Sequence, residues 1–214
     1  MERLICVLVG YVFGLIQTGY IYGKKNGVDL RKKGSGNAGT TNALRTMGWK
    51  AGAVTLLGDC FKCVAAVVVV HLIYGKTHTD MMPLLSMYAG MGAVLGHNYP
   101  FYLKFKGGKG IAATAGLIIS TTNIWIVLIC LAAFIAIVAT TRYVSLGSMA
   151  VVTIYLISVI VYGQHGGFGV ENVSYLYEMY GVAAFLMVLA FWRHRANIKR
   201  LLSGTENELS LIHI

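Results

Sequence analysis

GGKGIAATAGLIISTTN (107–123) is the stretch that decides how this chain is threaded. Its apolar part begins only near Ile111, whereas a crossing helix needs about 20 apolar residues to span roughly 30 Å of hydrocarbon. The segment is therefore a short span or a re-entrant hairpin, and charge chooses between the two. Around it lie six longer apolar blocks: Leu4–Tyr22, Ala51–Tyr74, Pro83–Asn98, Ile124–Thr140, Leu146–Tyr162 and Tyr175–Trp192. If 107–123 crosses, fifteen of the 18 Lys and Arg fall on one side, Arg3 and Lys76 fall on the other, and Lys62 sits inside a span. If it re-enters, Arg142 and the tail cations Arg193, Arg195, Lys199 and Arg200 change sides, and the division weakens to ten against seven. The positive-inside bias selects the first arrangement. The expected fold is an all-α integral membrane protein with seven transmembrane helices, the N-terminus outside, the C-terminus cytoplasmic and one span, about 107–123, short. A single polytopic domain is expected over residues 1–214.

Composition agrees. Of 214 residues, 57% are hydrophobic and 12% charged, while soluble domains are about a quarter charged and disordered chains are poorer in apolar residues. A net charge of +10 would raise nucleic acid as a partner for a soluble protein; in a bilayer its placement orients the chain instead, and no nucleic acid is expected. The first block is too long, and lacks the small-residue cleavage site, for a removable signal peptide. Trp49, Trp125 and Trp192 fall at span ends, where indole rings favour the interface. Gly10/Gly14 and Gly92/Gly96 stand at GxxxG spacing and are expected to pack helices within the chain. Asp59 and Lys62 share one face of the second block, either as a functional pair or as an internal ion pair. Cys60 and Cys63 flank them without a second ligand pair, so neither metal nor redox chemistry is expected there.

The polar sequence gathers on the inner side. GSGNAGTTNALRTMG (34–48) offers a glycine-rich turn leading into a short helix that Thr41 or Asn42 can cap. Such a turn exposes amides at a helix start, and Arg45 adds a planar cation suited to phosphate. GHNYPFYLKFKGGKG (96–110) places Lys109 after adjacent glycines, again at a helix start. His97 is expected to be a structural histidine at a helix end. TRYVSLGS (141–148) is a tight polar turn, and RHRANIKRLLSG (193–204) a basic helix that puts His194 and Asn197 on one face. Lys199 and Arg200 are assigned to lipid headgroups. Four such segments on one side suit a surface site for a doubly anionic soluble molecule beside a lipid-dissolved one, more than a pore with midplane groups.

In this order and spacing, GSGNxGxTNxxRxxG, GHxxPxxxxFKGGKG, TRYxSLGS and RHxxNIxRLLxG resemble the bacterial membrane acyl-phosphate:glycerol-3-phosphate acyltransferase family. Thr40 and Tyr99 depart from the family's commoner Ala and Phe without removing a charged or hydrogen-bonding group. The resemblance implies an inner-membrane enzyme with its site facing the cytoplasm. It would transfer a fatty acyl group from acyl phosphate to the 1-hydroxyl of glycerol 3-phosphate, yielding lysophosphatidate and phosphate.

A mixed anhydride is already activated, so the chemistry requires clamping of two phosphates and stabilisation of charge on the carbonyl oxygen, not a strong nucleophile. No cofactor or metal is expected. Arg45 and Lys109 are assigned to phosphate charge. Ser35, Gly36, Asn37, Thr41, Ser145 and Asn197 are assigned to hydrogen bonding around the substrates, and the amides of Gly107 and Gly108 to holding glycerol 3-phosphate. His194 is expected to donate to a phosphate oxygen, with general base as the alternative. Glu206 is expected to pair with a tail cation. The expected partners are glycerol 3-phosphate, acyl phosphate and membrane lipids, with oligomeric state left open. An anion transporter is the rival class, and Asp59 and Lys62 are its best support.

Overall fold

The computed structural model describes residues 1–209, which are folded into helices with no strand among them. The first expected span is two helices, α1 (Glu2–Gly14) and α2 (Thr18–Lys25), separated by a break. They are followed by α3 (Thr40–Met47), α4 (Trp49–Tyr74), α5 (Met82–Asn98), α6 (Ile111–Thr121), α7 (Ile124–Thr141), α8 (Val144–Gln164), α9 (Val173–Arg193) and α10 (Arg195–Leu202). Five segments are long and apolar enough to cross a membrane: α1–α2 taken together, α4, α7, α8 and α9. α5 has 17 residues and α6 only 11. At 1.5 Å per residue α6 is about 16 Å long, and residues 107–110 precede it as non-helical chain rather than as part of the expected span.

Lipid and core divide the apolar residues. On α7 only Ile126 and Cys130 are buried, while Leu128, Ile129, Leu131 and Ile135 point outward. α5 is the opposite case, buried along most of its length at the centre of the bundle. Trp49, Trp125 and Trp192 lie at helix ends with their rings exposed, where an indole suits the lipid headgroups.

Glycine sets the closest contact. A Cβ on Gly10 would lie 1.9 Å from the Ala89 carbonyl oxygen, one on Gly92 2.2 Å from that of Val7, and one on Gly96 2.3 Å from that of Tyr11. Both GxxxG pairs therefore face each other across α1 and α5, so their role is packing within the chain. At one end of the bundle Arg3 pairs with Glu178 of α9, which also accepts from Tyr88 of α5.

The break between α1 and α2 frees carbonyls that hydrocarbon cannot solvate. Each is met by a side chain. Gln17 Nε2 donates to Gly14 O at 3.2 Å, Tyr102 Oη to Leu15 O at 2.6 Å, and Lys62 Nζ to Ile16 O at 2.6 Å. The Thr18 amide turns to Asp59 Oδ1 at 3.4 Å. Asp59 and Lys62 form a buried ion pair at 2.8 Å.

Because α1 and α5 touch through backbone, Gly92→Ala should lower stability by about 1–3 kcal/mol through overpacking, read as a fall in Tm in detergent. Gly181→Ala, where a Cβ meets nothing within 4 Å, should leave Tm unchanged or slightly raised.

Candidate active site

Four segments converge at the end of the bundle opposite the Arg3–Glu178 pair. The first is 29–42. Gly34 and Gly36 take positive φ (59° and 70°), a conformation glycine adopts without the Cβ penalty. The loop they shape wraps around one side chain, Asn42. Its Nδ2 donates to Leu30 O, Lys33 O and Asn37 O at 2.9, 3.0 and 2.8 Å, and its Oδ1 accepts from the Ser35 amide at 2.9 Å. Asn42 is therefore the centre of the loop, not a cap. The N-cap of α3 is Gly39, which has no side chain to cap with, and Thr41 lies within the helix. Asn37 Oδ1 accepts from the Gly39 amide, which ties down its carbonyl.

The second segment is 97–110. The Gly107 and Gly108 amides donate to Asn98 O at 3.2 Å and His97 O at 3.1 Å. They are taken up by the chain itself here, rather than turned outward to hold glycerol 3-phosphate. Glycine is needed there for closeness. A Cβ on Gly107 would lie 2.0 Å from His97 O, and one on Gly108 2.0 Å from His97 Nε2. Arg193, stacked over Tyr99 at 5.1 Å, holds the outer side of this strand by donating to Gly107 O and Gly108 O at 3.0 and 2.7 Å. Between the two segments lies an open cleft of about 640 Å³. Of the expected residues, Ser35, Gly36, Asn37 and Gly107 line it, joined by Arg31, Lys104, Lys106 and Arg193.

The remaining expected residues form a second cluster. Lys109 Nζ donates to Asn197 Oδ1 at 2.5 Å; Asn197 Nδ2 donates to Glu206 Oε1 at 2.6 Å. Ser145 Oγ also donates to Oε1 at 3.0 Å, and Arg200 Nε meets Glu206 Oε2 at 2.9 Å. Glu206 thus pairs with a tail cation as expected, and its side chain, 5% exposed, is also the anchor for Ser145 and Asn197. The hydroxyl proton of Ser145 is spent on Glu206 rather than held for a substrate. Arg200 belongs to this cluster, not to the lipid surface.

Burial lowers the Lys109 ammonium to about 8, aided by the nearby charges of Arg200, Arg193 and Arg45 and opposed by Glu206. His194 is 2% exposed, and burial together with Lys109 depresses it to about 4. Its Nδ1 donates to Ala190 O at 2.7 Å, so in the neutral ring Nε2 carries a lone pair and cannot donate. Arg45 makes no ion pair or hydrogen bond among the described residues. The structure therefore places the expected residues in one region, divided between an open cleft and a Lys109–Asn197–Glu206 chain.

Comparison with known proteins decides the family. The family model for glycerol-3-phosphate acyltransferase matches residues 4–204. The chain belongs to the glycerol-3-phosphate acyltransferase family. A relative of that name from Clostridioides difficile (strain 630) is 43% identical over 207 residues, covering 96% of this chain and 95% of its own. Another, from Halalkalibacterium halodurans, is 42% identical over 206 residues, covering 95% and 93%. Among solved structures, PlsY (YgiH), described as an integral membrane glycerol 3-phosphate acyltransferase, matches in its glycerol 3-phosphate form with TM-score 0.83 and 30% identity over 99% of this chain and 98% of that one. Its lysophosphatidic acid form gives 0.81 and 29% over 100% and 98%. The cluster around Glu206 emerges only from the structure of this chain. Arg31, Arg193 and the centring of the loop on Asn42 were likewise not singled out from sequence, although each lies in or beside a motif rich in chemistry-bearing residues.

Asn42→Ala removes one donor group and one acceptor from four contacts. It should leave helical content intact by circular dichroism while the 30–37 loop becomes sensitive to limited proteolysis and acyltransferase turnover falls about tenfold or more.

Proposed function

We propose that this chain acylates the 1-hydroxyl of glycerol 3-phosphate with acyl phosphate as donor, releasing 1-acyl-glycerol 3-phosphate and inorganic phosphate. The observation that carries this is the convergence of four polar, cationic segments, two of them glycine-rich, on one end of an apolar bundle. There a soluble dianion and a membrane-dissolved anhydride can meet. The hydroxyl oxygen attacks the acyl carbonyl carbon and forms the ester bond. The bond from that carbon to the phosphate oxygen breaks, and phosphate leaves with the electron pair. The hydroxyl proton passes to a phosphate oxygen of glycerol 3-phosphate, a stronger base than a histidine depressed to about 4. Arg45 and Lys109 neutralise phosphate charge, with Arg193 on the wall of the cleft adding to the positive field, while Arg31 there is paired with Asp29 at 3.0 Å. Ser35, Gly36 and Asn37 face the soluble substrate. Ser145 and Asn197 act through Glu206 and Lys109. His194 donates only after it takes up a proton, which an adjacent dianion favours.

For the membrane we propose seven crossings, with the N-terminus outside, the C-terminus inside, and the site on the cytoplasmic face of the bacterial inner membrane. Support for the fourth crossing comes from the far end of α6. Ser120–Asn123 share a cleft of about 590 Å³ with His71, Gly75, Thr79, Tyr162 and Phe168, remote from the site. The helix begins beside Lys109 and ends at the opposite end of the bundle, and the distribution of Lys and Arg supplies the direction. No observation favours a transporter: Asp59 and Lys62, its best support, are occupied with the break between α1 and α2.

The assay is phosphate release by purified protein in detergent supplied with acyl phosphate and glycerol 3-phosphate. Turnover without a sealed compartment is expected, and its absence would overturn the proposal. Ser35→Ala, Arg45→Ala and Lys109→Ala should each lose about 10²–10³ in turnover, with Lys199→Ala close to the parent; near-parental rates in two of the first three would remove the site assignment.

The pH dependence follows from Lys109. A lysine lowered to about 8 is cationic below that value and neutral above it. Accordingly kcat/KM for glycerol 3-phosphate should fall as pH rises through about 8, because kcat/KM reports groups of the free enzyme. In Lys109→Arg, which stays charged, that alkaline limb should move to higher pH even where the rate itself is reduced.

A further inference from the structure

We propose that Asp59, Lys62 and His97, which lie outside the phosphate-facing surface, are positioning residues for the Gly107–Lys109 strand, acting through one buried hydrogen-bonded hub. The inference rests on the acyltransferase function proposed above.

Lys62 Nζ has three protons and three partners: Ile16 O at 2.6 Å, Asp59 Oδ1 at 2.8 Å and His97 Nδ1 at 2.8 Å. With Asp59 as counter-ion the lysine is an ammonium and has no lone pair, so His97 Nδ1 must accept. The ring proton is therefore on Nε2, the edge that faces Gly108. Asp59 Oδ1 lies 3.6 Å from Nδ1, on the same side of the ring. Lys62 and Asp59 thus settle one tautomer and one orientation of His97, and all three residues are at 5% exposure or less.

The site strand is built on that ring and its backbone. Gly108 lies so close to Nε2 that no Cβ fits, and its amide donates to His97 O; the Gly107 amide donates to the carbonyl of the next residue, Asn98. Gln17 Nε2, at the break between α1 and α2, donates to the same His97 carbonyl at 3.1 Å. Lys109 follows directly and reaches Asn197. A hub that seals a broken span is thereby the surface against which the substrate-facing strand is set. Its two duties are inseparable in space but separable by experiment, because sealing concerns Ile16 and positioning concerns residues 107–109.

The test uses Asp59→Asn/Lys62→Met, which removes both charges together and so leaves no buried ion unpaired, beside Lys62→Met alone. Three quantities are read on full-length protein in detergent: Tm, the kcat and KM for glycerol 3-phosphate, and amide hydrogen exchange resolved by segment. The double variant should keep a cooperative melt, show faster exchange confined to the break and to 104–110, and lose about 10- to 100-fold in kcat/KM, since small misplacements of positioned groups cost up to about that much. His97→Gln, whose amide can again place an N–H near Gly108, should recover part of the loss that His97→Ala shows. Parental kinetics in the double variant would overturn the proposal. So would faster exchange spread over α4, α5 and α9, which would make the hub a purely structural element. Failure of the unmodified protein to turn over would instead overturn the acyltransferase proposal, so the two failures are distinct.

Discussion

In hydrocarbon a backbone carbonyl without a partner costs several kcal/mol, and the first apolar segment of this bundle has its helical ladder interrupted between α1 and α2. The three carbonyls of Gly14, Leu15 and Ile16 are answered by Gln17, Tyr102 and Lys62. A lysine buried for that purpose requires an anion, which Asp59 supplies, and its third proton requires an acceptor, which His97 supplies. The packing of α1, α4 and α5 follows from these demands as much as from apolar area. Glycine lies on both sides of the α1–α5 contact, where the helices approach through their backbones.

The same constraint reaches the site. α5 ends at His97 and Asn98, the two residues whose carbonyls receive the Gly107 and Gly108 amides. The strand carrying Lys109 is therefore laid on the most buried helix of the protein rather than hung from a flexible loop. On the other side Arg193 grips the Gly107 and Gly108 carbonyls, and Asn197, one turn further on, takes the Lys109 ammonium. Preorganisation of this kind serves acyl transfer through alignment and charge stabilisation.

How much of this was legible beforehand varies by residue. The apolar blocks and the short fourth segment were readable because a bilayer imposes length and polarity on any sequence that crosses it. Arg45, Lys109, His194 and Asn197 were readable as a group because their motifs keep chemistry-bearing residues at fixed spacing. Thr41 or Asn42 was expected to cap α3, and neither does; for Asn42 a cap and a loop anchor share residue type and position, and only its four partners distinguish them. The amides of Gly107 and Gly108, expected to hold glycerol 3-phosphate, meet backbone carbonyls in the structure for a related reason. A GGK sequence shows that backbone is accessible, but not whether another carbonyl has already taken it.

The sequence by itself determined that the chain belongs in a membrane and to which family its motifs point. Hydropathy, charge distribution and motif spacing are one-dimensional quantities, fully present in the order of residues. Only the tertiary structure decided what Asp59, Lys62 and His97 are for, that Glu206 holds Ser145, Asn197 and Arg200 together, and that His194 is held with Nδ1 on the Ala190 carbonyl. Hydrogen bonds are satisfied between atoms about 3 Å apart in space, and partners in this fold lie as many as 175 residues apart along the chain.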